Sequence, residues 1–261
     1  MGEDGRPDRP RFARADALLH ARGFATTPAE AGALILAGRV MVTDARGRER
    51  RLDKAGERLP PEVRFRLKGE RGRFVSRAGL KLDAALDRFG VEVRGREAVD
   101  LGLSTGGFTD CLLQRGAARV HGVDVSYGLV DWRIRTDPRV VLHERTNARH
   151  LTPANIGDPV DLVVLDLSFI GLDAIWPVLP PLLRPSGEVV ALVKPQFELE
   201  RGATEDGIVT DPEARRRAVD RAEMGARAAG LVPRGRAPSA VPGRSGNEEW
   251  FLHLGADPDR S

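Results

Sequence analysis

A strand, a glycine-rich turn and a helix follow one another in residues 98–117, AVDLGLSTGGFTDCLLQRGA. The apolar run 98–101 predicts a short buried strand, and residues 108–114 predict a helix with one apolar side. Gly102, Gly106 and Gly107 permit positive φ and a close approach to a ligand, and the helix N-terminus favours an anion, either phosphate or carboxylate. The arrangement is typical of a nucleotide-binding crevice, although a tight strand-to-helix connection would give the same pattern.

A carboxylate follows the next apolar run at a spacing of about twenty residues. Asp124 comes directly after Val120–Val123, where an acid accepts hydrogen bonds from a ribose diol. This spacing favours the nucleotide interpretation. The turn GLSTGG lacks the second and third glycines of the dinucleotide pattern G-x-G-x-x-G, so it suits a methionine carboxylate better than a pyrophosphate.

Strands and helices alternate after Glu97. The pattern predicts strands at 98–101, 120–123, 140–142, 161–166, 188–193 and 250–254, and helices at 106–115, 172–183 and 212–229. A further helix is predicted at 77–89, with Ser76 as its cap. The alternation predicts an α/β fold, a doubly wound and mainly parallel Rossmann-like sheet that binds ligands at the carboxyl ends of its strands.

A separate small α/β domain is predicted at 14–69. Helices are expected from Ala15 to near Gly23 and at 29–37, and strands at 40–42 and 63–67. The order RADALLHARGF…AEAGALILAGRVMV resembles the S4 RNA-binding domain, which implies an RNA-facing surface with Arg14, Arg22 and Arg39 as phosphate contacts. Pro28 departs from that family, which usually carries a basic residue there. A structural module with a solvated basic face is the alternative.

A dense basic stretch joins the two predicted domains. Residues 64–81 hold seven basic side chains against one acidic, with Phe65 and Phe74 interleaved. Such charge suits an RNA backbone and makes affinity salt-dependent, although solvent exposure alone would explain it. We therefore expect a disordered tail at 1–13, a basic linker at 70–79 and the main domain at 80–256. The predicted RNA contacts in the stretch are Arg64, Arg66, Lys68, Arg71, Arg73 and Arg77.

Composition excludes several classes of protein. A single cysteine, Cys111, rules out an internal disulfide and Cys-rich metal sites, and it fits a reducing cytoplasm. The five histidines form no metal motif, and the N-terminus lacks the apolar core of a signal peptide. The longest apolar stretch, 174–183, is too short to cross a membrane. We expect a cytoplasmic protein without a metal or a membrane partner, and a net charge of +3 permits a polyanionic one.

Charged residues stand at the ends of three predicted strands or beside them. Asp166 ends one buried strand, Lys194 ends another, and Glu249 precedes the last. Each has an ordinary alternative, as a helix cap, an ion-pair partner or a surface acid. Lysine is rare compared with arginine, and the chain holds only Lys54, Lys68, Lys81 and Lys194. This scarcity indicates that lysine is kept where arginine cannot replace it, although chance would also explain it.

The segments DLGLSTGGFTD, ERTN, DLSFI, LVKPQFE and GNEEW, in that order behind the S4-like module, resemble the TlyA family of rRNA 2′-O-methyltransferases, which carry an FtsJ-like catalytic domain. The resemblance spans nearly the whole chain from Arg14. It implies S-adenosylmethionine as methyl donor, and a ribose 2′-hydroxyl of ribosomal RNA, expected to be that of a cytidine, as acceptor. It also implies a Lys-Asp-Lys-Glu tetrad, which falls on Lys81, Asp166, Lys194 and Glu249, with Glu248 as the competitor for the last position.

The resemblance also assigns the cofactor contacts. Asp124 is expected at the ribose and Asn147 near the adenine, with Asp166 at the cofactor as well as in the tetrad. Since methyl transfer is an in-line displacement, the protein must align the two reactants and remove one proton. Lys194 is the residue expected to engage the hydroxyl, and residues 201–207 are expected to form a loop over the substrate. The expected contacts at the methionine end are Gly102, Ser104, Thr105, Gly106, Gly107 and Phe108.

Other functions remain open at this point. The chain could be a non-catalytic RNA-binding or ribosome-assembly factor that keeps the fold, or a haemolysin-like protein, an activity associated with some members of the family. A small-molecule methyltransferase is also compatible with the main domain, but it leaves the basic module unexplained.

Overall fold

The computed structural model describes residues 12–25, 27–68, 73–199, 204, 207–243 and 246–257. The chain divides into two compact units, with the boundary between residues 72 and 73. The limits predicted above, 14–69 and 80–256 with a linker between them, are close to this division.

The first unit combines two helices with short antiparallel strands. Thr27 caps α2 by accepting a hydrogen bond from the Glu30 amide at 3.1 Å, and Pro28 stands in the first turn, where no amide donor is needed. Strand β2 pairs with β3 and β5, and β1 pairs with β4. The two predicted helices and two predicted strands are confirmed. The elements are β1 (Ala13–Arg14), α1 (Ala15–Ala21), α2 (Pro28–Leu36), β2 (Val40–Thr43), β3 (Glu49–Arg51), β4 (Arg58–Leu59) and β5 (Arg64–Leu67).

The second unit is built on a seven-stranded sheet of order β11-β12-β10-β9-β6-β7-β8. The five strands from β10 to β8 are parallel, and β12 is antiparallel to both neighbours. The mainly parallel α/β fold is thus confirmed. The elements are α3 (Ala78–Phe89), β6 (Glu97–Leu101), α4 (Gly107–Gln114), β7 (Arg119–Val123), α5 (Trp132–Arg135), β8 (Val140–His143), α6 (Pro153–Ile156), β9 (Val160–Leu165), β10 (Leu183–Val193), α7 (Pro195–Glu198), α8 (Pro212–Ala228), β11 (Leu231–Pro238) and β12 (Trp250–Ala256).

The strand order reverses beside β6. The chain moves outward from β6 to β7 and β8, then returns to the other side of β6 and continues through β9 and β10. Successive residues of the central strands face opposite layers, so Val163 packs in one hydrophobic cluster and Leu162 and Val164 in the other. A reversal of this kind leaves a crevice at the carboxyl ends of β6 and β9, where open α/β sheets bind ligands.

The helix predicted at 172–183 is wrong. The segment forms three successive 3₁₀ turns, Leu172–Ala174, Trp176–Val178 and Pro180–Leu182. Pro177, Pro180 and Pro181 supply no amide hydrogen, so the i→i−4 ladder of an α-helix cannot continue. Strand β11 was not predicted because two prolines and a glycine interrupt its pattern, which a strand tolerates at the edge of a sheet.

Part of the predicted linker is packed into the second unit. Phe74 is buried against Gly79, where a Cβ would lie 2.4 Å from the phenyl ring. The Val75 amide donates a hydrogen bond to Asp110 at 2.7 Å. Residues 73–79 therefore belong to the second unit. No helix in the parts of the chain that the structure describes has the length and apolar composition needed to cross a bilayer.

Two histidines pair between the neighbouring strands β7 and β8. His121 Nδ1 lies 3.1 Å from His143 Nε2, and the rings stack with centroids 5.4 Å apart. One nitrogen donates and the other accepts, so at least one of the two imidazoles must be neutral. Burial lowers the pKa of His121, with a smaller contribution from His143, and burial also lowers the pKa of His143.

This pair predicts acid lability of the second unit. The unfolded chain protonates these histidines at a higher pH than the folded chain does. Their contribution to the free energy of unfolding is therefore complete above about pH 6.5 and decreases as the pH drops further. Urea unfolding followed by tryptophan fluorescence at pH 7.5 and 5.5 measures this, since all three tryptophans lie in the second unit. The double variant His121→Gln/His143→Gln is expected to show a smaller loss, and His150→Gln, at an exposed position, the wild-type loss. An unchanged loss in the double variant would contradict the assignment.

Candidate active site

Gly102 brings the ends of three parallel strands together. It follows β6 with φ +93°, and its amide donates to the Val123 carbonyl at 2.9 Å. A Cβ at Gly102 would lie 2.5 Å from the backbone oxygen of Asp166, which follows β9. Only glycine therefore permits both this backbone conformation and this approach.

The turn after Gly102 is tied to Asp124 at the end of β7. The amides of Ser104 and Ser126 each donate to one oxygen of the Asp124 carboxylate, both at 2.7 Å. Ser104 itself has φ +50°, a region that residues other than glycine rarely adopt. Each carboxylate oxygen keeps a second lone pair, so Asp124 is held in place and can still accept hydrogen bonds from a diol.

A cleft of ≈ 490 Å³ lies beside this turn, and we call it the cofactor cleft. Five of the predicted cofactor residues line it. Asn147 accepts a hydrogen bond from the Arg149 amide through its side-chain oxygen at 3.1 Å, which leaves its NH₂ group available for a ligand. The five residues are Gly102, Ser104, Asp124, Asn147 and Asp166.

The other four predicted cofactor residues lie elsewhere. Thr105 lines the second cleft, described below. Gly106 and Gly107 allow close packing, since a Cβ at Gly106 would touch Ile134 and one at Gly107 would lie 2.2 Å from the Ser76 hydroxyl. Phe108 is buried and stacks on Phe251 with ring centroids 6.2 Å apart. These three residues shape the start of α4 without lining either cleft.

Asp100 is a buried acid behind the glycine turn. The sequence pattern predicts it only as a member of a strand. Its Oδ2 accepts hydrogen bonds from the amide and the hydroxyl of Thr109, at 3.0 and 2.7 Å. Burial raises its pKa to about 7. Its Oδ1 is buried and has no hydrogen-bond partner among the described residues. An acid in an apolar strand just before a glycine turn is the sequence signal that could have identified it.

The four residues of the predicted tetrad meet in the second cleft, of ≈ 790 Å³, which we call the tetrad cleft. Lys81 Nζ lies 2.5 Å from Glu249 Oε2, and Lys194 Nζ lies 2.6 Å from Asp166 Oδ1. Lys81, Lys194 and Glu249 are buried. Removing one member of a buried pair leaves an uncompensated charge, so each lysine and acid holds its partner in place.

The two clefts share a wall. Ser104, Asp166, Ser168 and Phe169 line both. The Lys194 ammonium also donates a hydrogen bond to the Ser168 hydroxyl at 2.9 Å, so Ser168 helps to orient it. Asp166 Oδ1 is close to that ammonium without the geometry of a hydrogen bond, and it has no hydrogen-bond partner among the described residues.

Glu249, and not its neighbour, faces the tetrad cleft. The side chain of Glu248 is 67% exposed and pairs with Arg215, whereas Glu249 is buried against Lys81. Asn247 holds the segment before β12 in place. Its side-chain oxygen accepts a hydrogen bond from the Val209 amide, and its NH₂ group donates one to the Gly207 carbonyl, both at 2.9 Å. Of the loop predicted at 201–207, residues 201–203 and 205–206 lie outside the described part, and Thr204 and Gly207 line the cleft.

Phe169 stands exposed where the clefts meet. It is 91% exposed and has φ +66°, an unfavourable conformation for a bulky side chain. Its ring contacts Phe197 with centroids 5.3 Å apart. Glu198 ties down the same segment by accepting hydrogen bonds from the Leu172 amide, and burial raises the pKa of Glu198 to about 7. An exposed aromatic side chain held in this way suits stacking against a planar ligand.

The basic residues predicted to contact RNA fall into two groups. Several are engaged within their own unit. Arg14 pairs with Asp16 at 2.6 Å, Arg66 with Glu49 at 2.8 Å and Arg73 with Asp83, while Arg22 donates to the carbonyls of Pro61 and Val63. Arg71 lies outside the described residues. The remaining four show no side-chain ion pair with a described residue, and they are Arg39, Arg64, Lys68 and Arg77.

The described ranges contain no group of three or more His, Cys, Asp or Glu side chains placed to hold a metal ion.

Comparison with known proteins identifies the family to which the chain is similar. The model of the FtsJ-like methyltransferase family matches residues 74–256. The chain is 43% identical over 253 residues to the 16S/23S rRNA (cytidine-2′-O)-methyltransferase TlyA of Mycobacterium tuberculosis, covering 96% of this chain and 92% of that one. It is 34% identical over 243 residues to Hemolysin A of Brachyspira hyodysenteriae, covering 92% and 99%. A solved structure from Streptococcus thermophilus, described as a candidate hemolysin, superposes with a TM-score of 0.70 at 36% identity, covering 95% of this chain and 90% of that chain.

Substitution of Gly102 by alanine is predicted to close the cofactor cleft. The new Cβ would overlap the Asp166 backbone, and a side chain would also make the positive φ at this position unfavourable. We therefore expect a loss of roughly 1–3 kcal/mol of stability and a weaker affinity for S-adenosylhomocysteine. Thermal unfolding and titration calorimetry measure the two effects. Gly157→Ala is the matched control, because Gly157 has φ +91° and no atom lies within 4 Å of the position that its Cβ would occupy. Equal affinity in the two variants would refute the role of close approach.

Proposed function

The chain belongs to the FtsJ-like methyltransferase family, and within it to the TlyA family, and from this premise we propose that it transfers a methyl group from S-adenosylmethionine to a ribose 2′-hydroxyl of ribosomal RNA. The observation that carries the proposal is the meeting of two lysine–acid pairs, with three of the four side chains buried, in a cleft that shares a wall with the cofactor cleft.

The cofactor cleft fits S-adenosylmethionine, which supplies an activated methyl group on a sulfonium. Asp124 would accept the ribose hydroxyls, and Asn147 would lie near the adenine. The absence of a side chain at Gly102 lets the glycine turn pack against the Asp166 backbone at the wall of this cleft. The cleft volume of ≈ 490 Å³ lies in the usual range for small-molecule sites.

Lys194 is the group that would engage the acceptor hydroxyl. Asp166 and Ser168 hold its Nζ at the shared wall, between the two clefts. In its neutral form the amine would accept the hydroxyl proton, and in its charged form it would orient the hydroxyl oxygen. Lys81 and Glu249 form the second pair in the same cleft, which would position the ribose.

A ribosomal RNA substrate accounts for the first unit, which we assign to the S4 type. The name of the Mycobacterium tuberculosis relative specifies cytidine in 16S and 23S rRNA, and we extend cytidine to this chain. Arg39, Arg64 and Lys68 are the phosphate contacts that we favour in this unit, because no described carboxylate pairs with them. We propose the cytoplasm as the location of the activity, because ribosomal RNA is the proposed substrate.

Phe169 would stack on the base of the acceptor nucleotide. It stands where the clefts meet, so a base on its ring would bring the attached ribose to Lys194. A non-catalytic RNA-binding factor would require neither this arrangement nor two buried lysines. The geometry therefore favours an enzyme over that alternative.

Removal of the Lys194 amine is predicted to abolish transfer without loss of the cofactor. We expect Lys194→Ala to lower kcat by at least about 100-fold, since acid–base catalysis contributes on this scale, while the Kd for S-adenosylhomocysteine stays near the wild-type value. Labelled S-adenosylmethionine with unmethylated ribosomal subunits measures transfer. Lys54→Ala, at an exposed lysine, is the control. Wild-type turnover in Lys194→Ala would refute the assigned role, and an inactive wild type would refute the proposed function.

Loss of the Phe169 ring is predicted to impair both binding and placement of the acceptor. Loss of the stacking contact with one base is expected to raise KM for ribosomal subunits roughly 5- to 50-fold in Phe169→Ala. We expect kcat to fall as well. Phe169→Tyr keeps the ring and should restore both values. If Phe169→Leu performs as well as Phe169→Tyr, the ring serves as apolar packing and the stacking assignment is wrong.

A further inference from the structure

Three large apolar side chains are exposed within five residues of the loop that follows β7. Val125 and Tyr127 are each 65% exposed and Leu129 is 55% exposed. Single exposed apolar residues are ordinary, but a group of them on one loop indicates a contact with a partner. The loop borders the cofactor cleft, because Val125 is one of the residues that line it.

Tyr127 carries a cation on its ring. The guanidinium carbon of Arg145, in the loop after β8, lies 4.5 Å from the ring centroid. Arg145 has φ +55°, and its amide donates to the Ser126 carbonyl at 3.3 Å. A second tie joins the loops, since the Gly128 amide donates to Glu144 at 2.7 Å. The strained backbone and the two ties hold the ring and the guanidinium in a fixed arrangement.

The charges of this rim are unbalanced in favour of cations. Its acids are already engaged, Asp131 by Arg133 at 3.3 Å and Glu144 by Arg135 at 2.7 Å. Arg145 and Arg149 are exposed and pair with no carboxylate of the described residues. Arg145 lies on the ring, and Arg149 lines the cofactor cleft together with Val125 of the same loop. An aromatic ring with these two cations on one rim matches an unstacked base and its phosphates, whereas an apolar protein surface would leave both charges unmatched.

The position of the rim separates it from the acceptor ribose. Tyr127 follows β7 and Arg145 follows β8, whereas Asp166 follows β9, and the sheet order is β9-β6-β7-β8. Two strand spacings separate β9 from β7, roughly 10 Å, and three separate it from β8, roughly 14 Å. A group on this rim therefore contacts a nucleotide other than the one that is methylated.

We propose that Tyr127, Arg145 and Arg149 form a second RNA-contact surface, which stacks a base on Tyr127 and binds its phosphates through the two arginines. The inference rests on the proposed function, because it takes ribosomal RNA as the substrate. It adds a contact on the β7 and β8 side of the sheet, away from Phe169 and from the first unit's arginines. Its effect would be on affinity for RNA and not on the chemical step.

The test compares Tyr127→Ala, Tyr127→Phe and Leu129→Ala in the full-length protein with unmethylated ribosomal subunits as substrate. We expect Tyr127→Ala to raise KM for the subunits roughly 5- to 50-fold, with kcat and the Kd for S-adenosylhomocysteine unchanged, and Tyr127→Phe to restore KM. Leu129→Ala is the matched control, since Leu129 is exposed on the same loop but lacks a ring and a cation. Arg149→Ala should reduce the dependence of KM on salt.

Four outcomes would overturn the inference. A wild-type KM in Tyr127→Ala would show that the ring contacts no RNA. An equal rise in Leu129→Ala would show that the loop docks on an apolar protein surface. A parallel loss of S-adenosylhomocysteine affinity would assign Tyr127 to the cofactor cleft. These three leave the proposed function intact, whereas a wild-type protein that methylates no ribosomal RNA would overturn both.

Discussion

Two ion pairs that are largely shielded from water impose the strictest requirement on this structure. A buried ammonium or carboxylate is stable only beside its partner, so Lys81 must meet Glu249 and Lys194 must meet Asp166. The four residues come from α3, the approach to β12 and the ends of β9 and β10. The sheet order satisfies this requirement, because β9, β10 and β12 are consecutive neighbours and α3 packs on the same domain core.

The segment after β9 connects the pairs to both clefts. Asp166 reaches the cofactor side, Ser168 holds Lys194, and Phe169 is exposed at the junction. The motif after β10 holds this segment in turn, through the ring of Phe197 and the carboxyl of Glu198. The raised pKa of Glu198 matches this role, because a protonated carboxyl still accepts a hydrogen bond from the Leu172 amide without placing a charge in the interior.

Arginine serves mainly structural purposes in this chain, and lysine is confined to few places. Most arginines of the second unit pair with carboxylates, as Arg115 does with Asp83 and Asp87. The arginines without such partners therefore mark the surfaces open to an anionic ligand. This distinction separates Arg64 from Arg66 and Arg73, which the density of basic residues in the stretch 64–81 treats alike.

The sequence by itself determined the main elements and the parallel sheet, because strand periodicity and glycine turns are local properties. Through the family resemblance carried by motifs such as DLSF, VKPQ and GNEE, it also predicted four tetrad residues, and these line one cleft. Three prolines that the sequence already shows argue against the helix predicted at 172–183, although the apolar pattern favours it. Strand β11 was missed because its stability comes from pairing with β12. Only the tertiary structure decided that Lys81 pairs with Glu249 across 168 residues of chain, that Phe108 lies in the core, and that Tyr127 meets Arg145. Burial, pairing and exposure depend on which distant segments come together, and no local pattern contains that information.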